Sequence, residues 1–284
     1  MKTVKIRGVE IGAGIPKICV PIVGTAKKEI LEQAAALRTV PADMAEWRID
    51  WFENADDFEA LSDVLKELRA VLGDLPLLMT FRTSGEGGEK AIAPEAYAEL
   101  NIRAARTGLI DLVDVELFTG GGIDPEDVGR ASENGPGQAY TAQSAGNGIV
   151  RRIIREAHAA NVFVVASSHD FDRTPDKEEL IRRLRLMQDL DADILKAAVM
   201  PRCRKDVLTL LAATEEMTSV YADRPVVTMS MAGAGVISRL CGEVFGSAIT
   251  FGAAGRTSAP GQMDARDLRT ALELIHKASG DSRT

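Results

Sequence analysis

The residue types able to do covalent chemistry in this 284-residue chain sit inside apolar runs. Lys196 stands in Ala192–Met200, where its neighbours on both sides are mostly aliphatic. Burying an amine among apolar side chains disfavours its charged form, and an uncharged amine attacks carbonyl carbon. The alternative at this position is a structural ion pair of Lys196 with Asp193 or Glu116. His169 ends a second run, Val162–His169, whereas the other two histidines, His158 and His276, fall in helix-period segments. An imidazole within reach of a carbon next to an imine can remove a proton that the imine has acidified. Either Glu86 or Glu116 could hold its ring in the useful tautomer.

Charge recurs at alternate positions in other runs. In Glu46-Trp47-Arg48-Ile49-Asp50, side-chain alternation puts Glu46, Arg48 and Asp50 on one face and the apolar residues on the other. Arg82 ends Pro76–Arg82, and Asp114 and Glu116 share a face of Asp111–Phe118. Such charge belongs inside a closed sheet, near the C-terminal ends of its strands, with the apolar face turned to covering helices.

The elements that must position these groups are regular. Eight short apolar runs (Lys17–Gly24, Ala45–Trp51, Pro76–Arg82, Asp111–Phe118, Val162–His169, Ala192–Met200, Pro225–Met231 and Ser247–Ala253) alternate with amphipathic segments. Among the segments are Asp56–Leu72, Val150–Ala160, Val236–Phe245 and Asp264–His276. Thr174-Pro175 and Asp264 offer helix starts. Strict alternation predicts parallel strands with right-handed crossovers, and eight units predict an α/β fold, a (β/α)8 TIM barrel, over residues 1–284 as a single domain. The first turn, Val23-Gly24-Thr25-Ala26-Lys27, lacks the glycine fingerprint of an open dinucleotide-binding sheet. Residues 4–14 alternate at period two around Gly8 and predict a hairpin closing the barrel bottom. Residues 119–147, rich in Gly, Asn, Ser and Gln, predict a long inserted loop after strand four.

Composition bounds the partners. A net charge of −8 disfavours a phosphate-tracking surface, so no nucleic acid is expected and any anionic ligand must be held by a few local arginines. No apolar stretch is long enough to cross a membrane and the N-terminus lacks a signal-type apolar region, so no membrane partner and a cytoplasmic location are expected. Cys19, Cys203 and Cys241 are too widely spaced for a disulfide framework or zinc site.

Taken in order, Ala45–Asp50, Thr80-Phe81-Arg82 with Glu86-Gly87-Gly88-Glu89, Ser168–Phe171, Asp193–Lys196, Thr228–Met231 with Gly235–Leu240, and Phe251-Gly252 with Ser258–Gln262 make the chain similar to the type I 3-dehydroquinate dehydratases. These enzymes convert 3-dehydroquinate to 3-dehydroshikimate plus water through a lysine Schiff base, in the shikimate pathway. The resemblance implies Lys196 as the Schiff-base lysine, His169 as general acid/base and Glu86 as the carboxylate orienting it. It implies that Glu46, Arg48 and Arg82 hold the ring hydroxyls, that Arg239 clamps the substrate carboxylate, and that Ser258 and Gln262 lie on a closing loop. It implies no metal, no organic cofactor and a homodimer. The chain departs from the family at Pro21, where a small polar residue usually touches substrate, and in the length of loop 119–147. Two alternatives remain at this stage: another Schiff-base barrel lyase of the class I aldolase kind, and a catalytically silent barrel used for binding.

Overall fold

The computed structural model describes residues 2–120, 148–255 and 257–280. A small antiparallel hairpin, β1 (Val4–Ile6) and β2 (Val9–Ile11), comes first. Eight parallel strands follow: β3 (Lys17–Ile22), β4 (Met44–Arg48), β5 (Leu77–Thr80), β6 (Leu112–Glu116), β7 (Phe163–Asp170), β8 (Ile194–Val199), β9 (Val226–Ser230) and β10 (Ile249–Ala253). Each strand from β3 to β8 pairs with the next, and β10 returns to pair with β3. The seam between β9 and β10 is held by a Val226↔Ser247 bridge and by the Ala248 N–H, which donates to the Val226 carbonyl at 2.8 Å. The sheet thus curls into the expected barrel, and a two-residue strand, β11 (Met263–Asp264), flanks β10.

Helices α1 (Lys27–Ala36), α2 (Phe58–Leu72), α3 (Pro94–Ala105), α4 (Gly148–Ala159), α5 (Lys177–Asp189), α6 (Arg204–Glu216), α7 (Ile237–Leu240), α8 (Gly242–Phe245) and α9 (Ala265–Gly280) follow or connect the strands. Two separate apolar layers result from period-two alternation. Ile18, Val20, Trp47, Met79, Val113, Val115, Ala166, Leu195 and Ala197 face outward into the core shared with the helices. Their sequence neighbours Cys19, Met44, Leu78, Leu112, Val165 and Ile194 face inward. The hairpin's Val4, Ile6 and Ile11 pack on that inner set, which begins the strands, so the hairpin covers the N-terminal mouth. Its turn requires positive φ at Arg7 (45°) and Gly8 (88°), and the latter is free for glycine.

Local signals worked unevenly. Asp57 caps α2, accepting from the Glu59 and Ala60 N–H groups, and Asp264 accepts from the Arg266 N–H at the start of α9. Thr174 does not cap α5: its hydroxyl donates to the Met200 carbonyl, and the helix begins at Lys177. The run Ala45–Trp51 is strand only to Arg48, because Ile49–Trp51 turns into a 3-10 helix. The segment Val236–Phe245 forms the two short helices α7 and α8 rather than one. Of the long loop expected over 119–147, residues 121–147 lie outside the described residues.

Candidate functional site

Parallel strands deliver their C-terminal ends to one mouth of the barrel, opposite the hairpin. There Glu46, Arg48, Arg82, Glu86, His169, Lys196, Arg239, Ser258 and Gln262, scattered over more than 200 positions, line a single pocket. All nine residues to which the resemblance gives a role line it. Pro21 is buried opposite Glu46 in the β3–β4 ladder and does not line the pocket.

Lys196 is central. It is only 4% exposed, and its Nζ lies 4.7 Å from the Phe251 ring centroid. The surroundings are not apolar alone, and neither acid considered from sequence is its partner. Its Nζ donates to Asp114 Oδ2 at 3.2 Å and lies 4.0 Å from Glu46 Oε1. Asp193 instead meets His158 Nε2 at 2.9 Å, because it lies an odd number of positions from Lys196 and strand alternation turns it away from the lumen. Glu116 accepts from Arg82 Nη1 at 2.9 Å and from the Thr83 N–H at 2.8 Å.

Arg82 ties these acids together. Its Nη2 donates to Asp114 Oδ1 at 2.8 Å, and its Nη1 also donates to Ser167 Oγ. Burial works against its charge, but Asp114, Glu116 and Glu86 outweigh that cost and raise its pKa. Burial likewise works against an ionised Asp114, yet Arg82, Lys196 and the Ser167 hydroxyl hold it below the usual carboxylate range.

His169 sits on the next strand. Its Nδ1 is 2.8 Å from Glu86 Oε2, and the same oxygen accepts the His169 main-chain N–H at 3.0 Å. Of the two acids considered for this role, Glu86 therefore fixes the ring. Burial first, then Arg82, Lys196 and Arg48, push the imidazole pKa well down. Burial first, then the charge of Glu116, push the Glu86 carboxyl well up, against the pull of Arg82. Both directions oppose an imidazolium–carboxylate pair, so the ring is held neutral and competent to accept a proton.

The Glu86-Gly87-Gly88-Glu89 run has a steric reason. A Cβ on Gly88 would lie 1.9 Å from the Arg82 carbonyl oxygen, and one on Gly87, whose φ is 81°, would lie 2.2 Å from the Phe171 ring. The two glycines let the loop fold back on Arg82 and place Glu86 against His169. Asp50 stabilises the same corner: its carboxylate takes Nε and Nη2 of Arg48 at 2.8 and 2.7 Å and the Glu89 N–H at 3.1 Å. Arg48 is thereby aimed from one side, leaving Nη1 for another acceptor.

Arg239 is 1% exposed, and among the described residues no carboxylate lies within ion-pair distance of it. Its Nη2 donates to the Pro260 carbonyl at 3.1 Å, its Nη1 reaches only Met229 Sδ at 3.9 Å, and its Nε is buried without a partner. Burial pushes its pKa down to about 10, which leaves it a cation at neutral pH. A buried guanidinium with unmet donors is a site for an anion. The Pro260 contact also ties down the loop carrying Ser258 and Gln262, which are joined by a 2.8 Å bond from the Ser258 N–H to Gln262 Oε1.

Met229, Met231 and Phe251 complete the lining as apolar walls, a role that periodicity alone does not separate from ordinary core. Among the described residues no cluster of His, Cys, Asp and Glu has metal-binding geometry, and no helix is long and apolar enough to cross a membrane.

Comparison with known proteins agrees with this geometry. The model of the family described as type I 3-dehydroquinase matches residues 18–279. The 3-dehydroquinate dehydratase of Clostridioides difficile (strain 630) is 47% identical over 277 residues, 98% of each chain. That of Listeria welshimeri is 49% identical over 277 residues, covering 98% of this chain and 99% of the relative. The crystal structure of the type I enzyme from Clostridium difficile with covalently modified comenic acid superposes with a TM-score of 0.86 at 47% identity, covering 98% of this chain and 99% of that one. The Geobacillus kaustophilus 3-dehydroquinate dehydratase gives 0.85 at 36% identity, covering 98% of each. With barrel, pocket and sequence in agreement over nearly their whole length, the chain belongs to the type I 3-dehydroquinase family.

Proposed function

We propose that Lys196 is the nucleophile, His169 the proton carrier and Glu86 its orienting carboxylate in the reaction of this family, which converts 3-dehydroquinate to 3-dehydroshikimate and water. The observation that carries this reading is the buried Lys196 amine sharing one pocket with an imidazole held neutral and a guanidinium lacking an anion. The Lys196 nitrogen adds to the 3-keto carbon, and loss of water gives an imine that serves as an electron sink. With Nδ1–H donated to Glu86, Nε2 of His169 carries the lone pair and takes a proton from C2. The C1 hydroxyl leaves as water with the proton returned by the same imidazole. Hydrolysis of the imine then frees 3-dehydroshikimate and the amine.

The remaining residues bind. Glu46, Arg48 and Arg82 hold ring hydroxyls, and Ser258 and Gln262 close over the ring and exclude bulk water. Arg239 holds the substrate carboxylate through two parallel hydrogen bonds, which fits its unmet donors. No step draws on a metal or organic cofactor. The enzyme works in the cytoplasm as a homodimer, for which a sedimentation mass twice that of the chain is the check. Membership of the family sets aside the class I aldolase alternative. Turnover of 3-dehydroquinate, followed by the absorbance of the enone product, tests the activity itself, and a folded protein without turnover would favour the silent barrel.

Arg239→Ala is expected to raise KM by roughly 10- to 10²-fold, the scale of about 1.5–3 kcal/mol for a charged hydrogen-bond partner. Its effect on kcat is expected to be smaller, because the carboxylate it holds does not react. Steady-state kinetics checks the split, and Arg239→Lys should recover only part of the binding because it lacks the planar fork.

A further inference from the structure

Asp114 has no part in the roles above, yet it is the acid nearest the proposed nucleophile. Its carboxylate is fully buried. Arg82 Nη2 at 2.8 Å and the Ser167 hydroxyl at 2.6 Å both donate to Oδ1, which leaves Oδ2 for Lys196 Nζ at 3.2 Å. The Tyr97 hydroxyl donates to the Asp114 main-chain oxygen and accepts the Glu116 N–H, so this stretch of β6 is pinned from the helix side as well. Glu46, the other acid near Nζ, is farther away at 4.0 Å and accepts the Thr80 hydroxyl.

We infer that Asp114 is the fixed counterion of the Lys196 nitrogen throughout the covalent stage, keeping the imine protonated. This rests on Lys196 being the nucleophile. The charge balance suits a counterion that does not move. An alkylammonium and a ketone give a protonated imine and water: the N–C bond forms, the carbonyl oxygen departs as water with two protons from nitrogen, and one N–H remains. Total charge is +1 before and after, so one anion in one place serves both species. The neutral imidazole of His169, in the same pocket, can ferry the protons to oxygen. The charged and titratable groups around the nitrogen are Cys19 on β3, Glu46 on β4, Arg48 at its end, Arg82 after β5, Asp114 on β6 and the neutral His169 on β7, with the Phe251 ring of β10 presenting a cation-attracting face. The two arginines repel a cation, and Asp114 is the acid that offsets them at hydrogen-bond range. Only the protonated imine withdraws electrons strongly enough to acidify the neighbouring carbon, so losing the counterion should cost rate rather than binding.

Cyanoborohydride reduces protonated imines and spares neutral ones, so trapping against pH reads the protonation directly. With 3-dehydroquinate present, the wild-type yield of reduced adduct on Lys196 should stay level from weakly acid to weakly alkaline pH. Asp114→Asn keeps the shape of the side chain and removes its charge. It should lower kcat by about 10²- to 10³-fold with little change in KM, and its trapped yield should fall as pH rises. A wild-type yield that falls through neutrality would overturn the inference whether or not the variant folds, with circular dichroism checking the fold. A wild-type adduct together with an Asp114→Asn protein unchanged in kcat and trapping profile would also overturn it. No wild-type adduct on Lys196 at any pH would overturn the nucleophile reading itself and, with it, this one.

Discussion

Lys196→Ala is expected to end turnover and imine formation together. The loss should be on the order of 10⁴- to 10⁶-fold in kcat, the scale seen when a covalent nucleophile is removed and only binding and electrostatics remain. The substitution also leaves a cavity in the lumen and takes one partner from Asp114, which keeps Arg82 and Ser167. Lys196→Met fills the space of the aliphatic stem and separates the two effects. If both variants fold and neither turns over, the missing amine is the cause; kinetics and thermal melting of the pair provide the check. A Lys196→Met protein that turned over substrate at more than a small fraction of the wild-type rate would place the nucleophile elsewhere.

The second large effect belongs to His169. His169→Ala should still form the lysine adduct but stall the proton transfers, lowering kcat by about 10²- to 10⁴-fold or more for a group used twice. Borohydride reduction of that variant with substrate should therefore leave at least as much adduct as in the wild type. The pH profile follows from the same residue. A base works only when deprotonated, so activity falls as pH drops through its pKa. Burial, then the charges of Arg82, Lys196 and Arg48, hold that pKa well below the ordinary value of 6.5, and the acid limb of kcat/KM should lie below it accordingly. An acid limb at or above the ordinary value, or an unchanged rate in His169→Ala, would assign the proton transfers to another group.

Much of the barrel is written locally. Runs such as Val162–His169 are short and rich in β-branched and aromatic residues, and their alternation with amphipathic segments leaves few topologies. The pocket was legible for a related reason: a charged side chain at every second position of an apolar run has no place but a closed lumen, which is where Glu46, Arg48, Asp114 and Glu116 are found. Partnerships within the lumen were not legible. Lys196 meets Asp114, 82 positions away, rather than Asp193 three positions away, because barrel closure rather than sequence distance sets which strand ends face each other. Period two also carried Asp50 onto the correct side but hid the turn at Ile49–Trp51 that makes it a brace for Arg48. Thr174 failed as a cap because a tertiary acceptor, the Met200 carbonyl, took its hydroxyl.

Because only an imine makes the lysine, the imidazole and the dehydration parts of one event, the most direct measurement is borohydride reduction during turnover of 3-dehydroquinate, followed by peptide mass analysis. The account predicts loss of activity in step with a single substrate-derived mass on the peptide carrying Lys196, and on no other lysine peptide. Full turnover with Lys196 unmodified, or an adduct carried by another lysine, would contradict it.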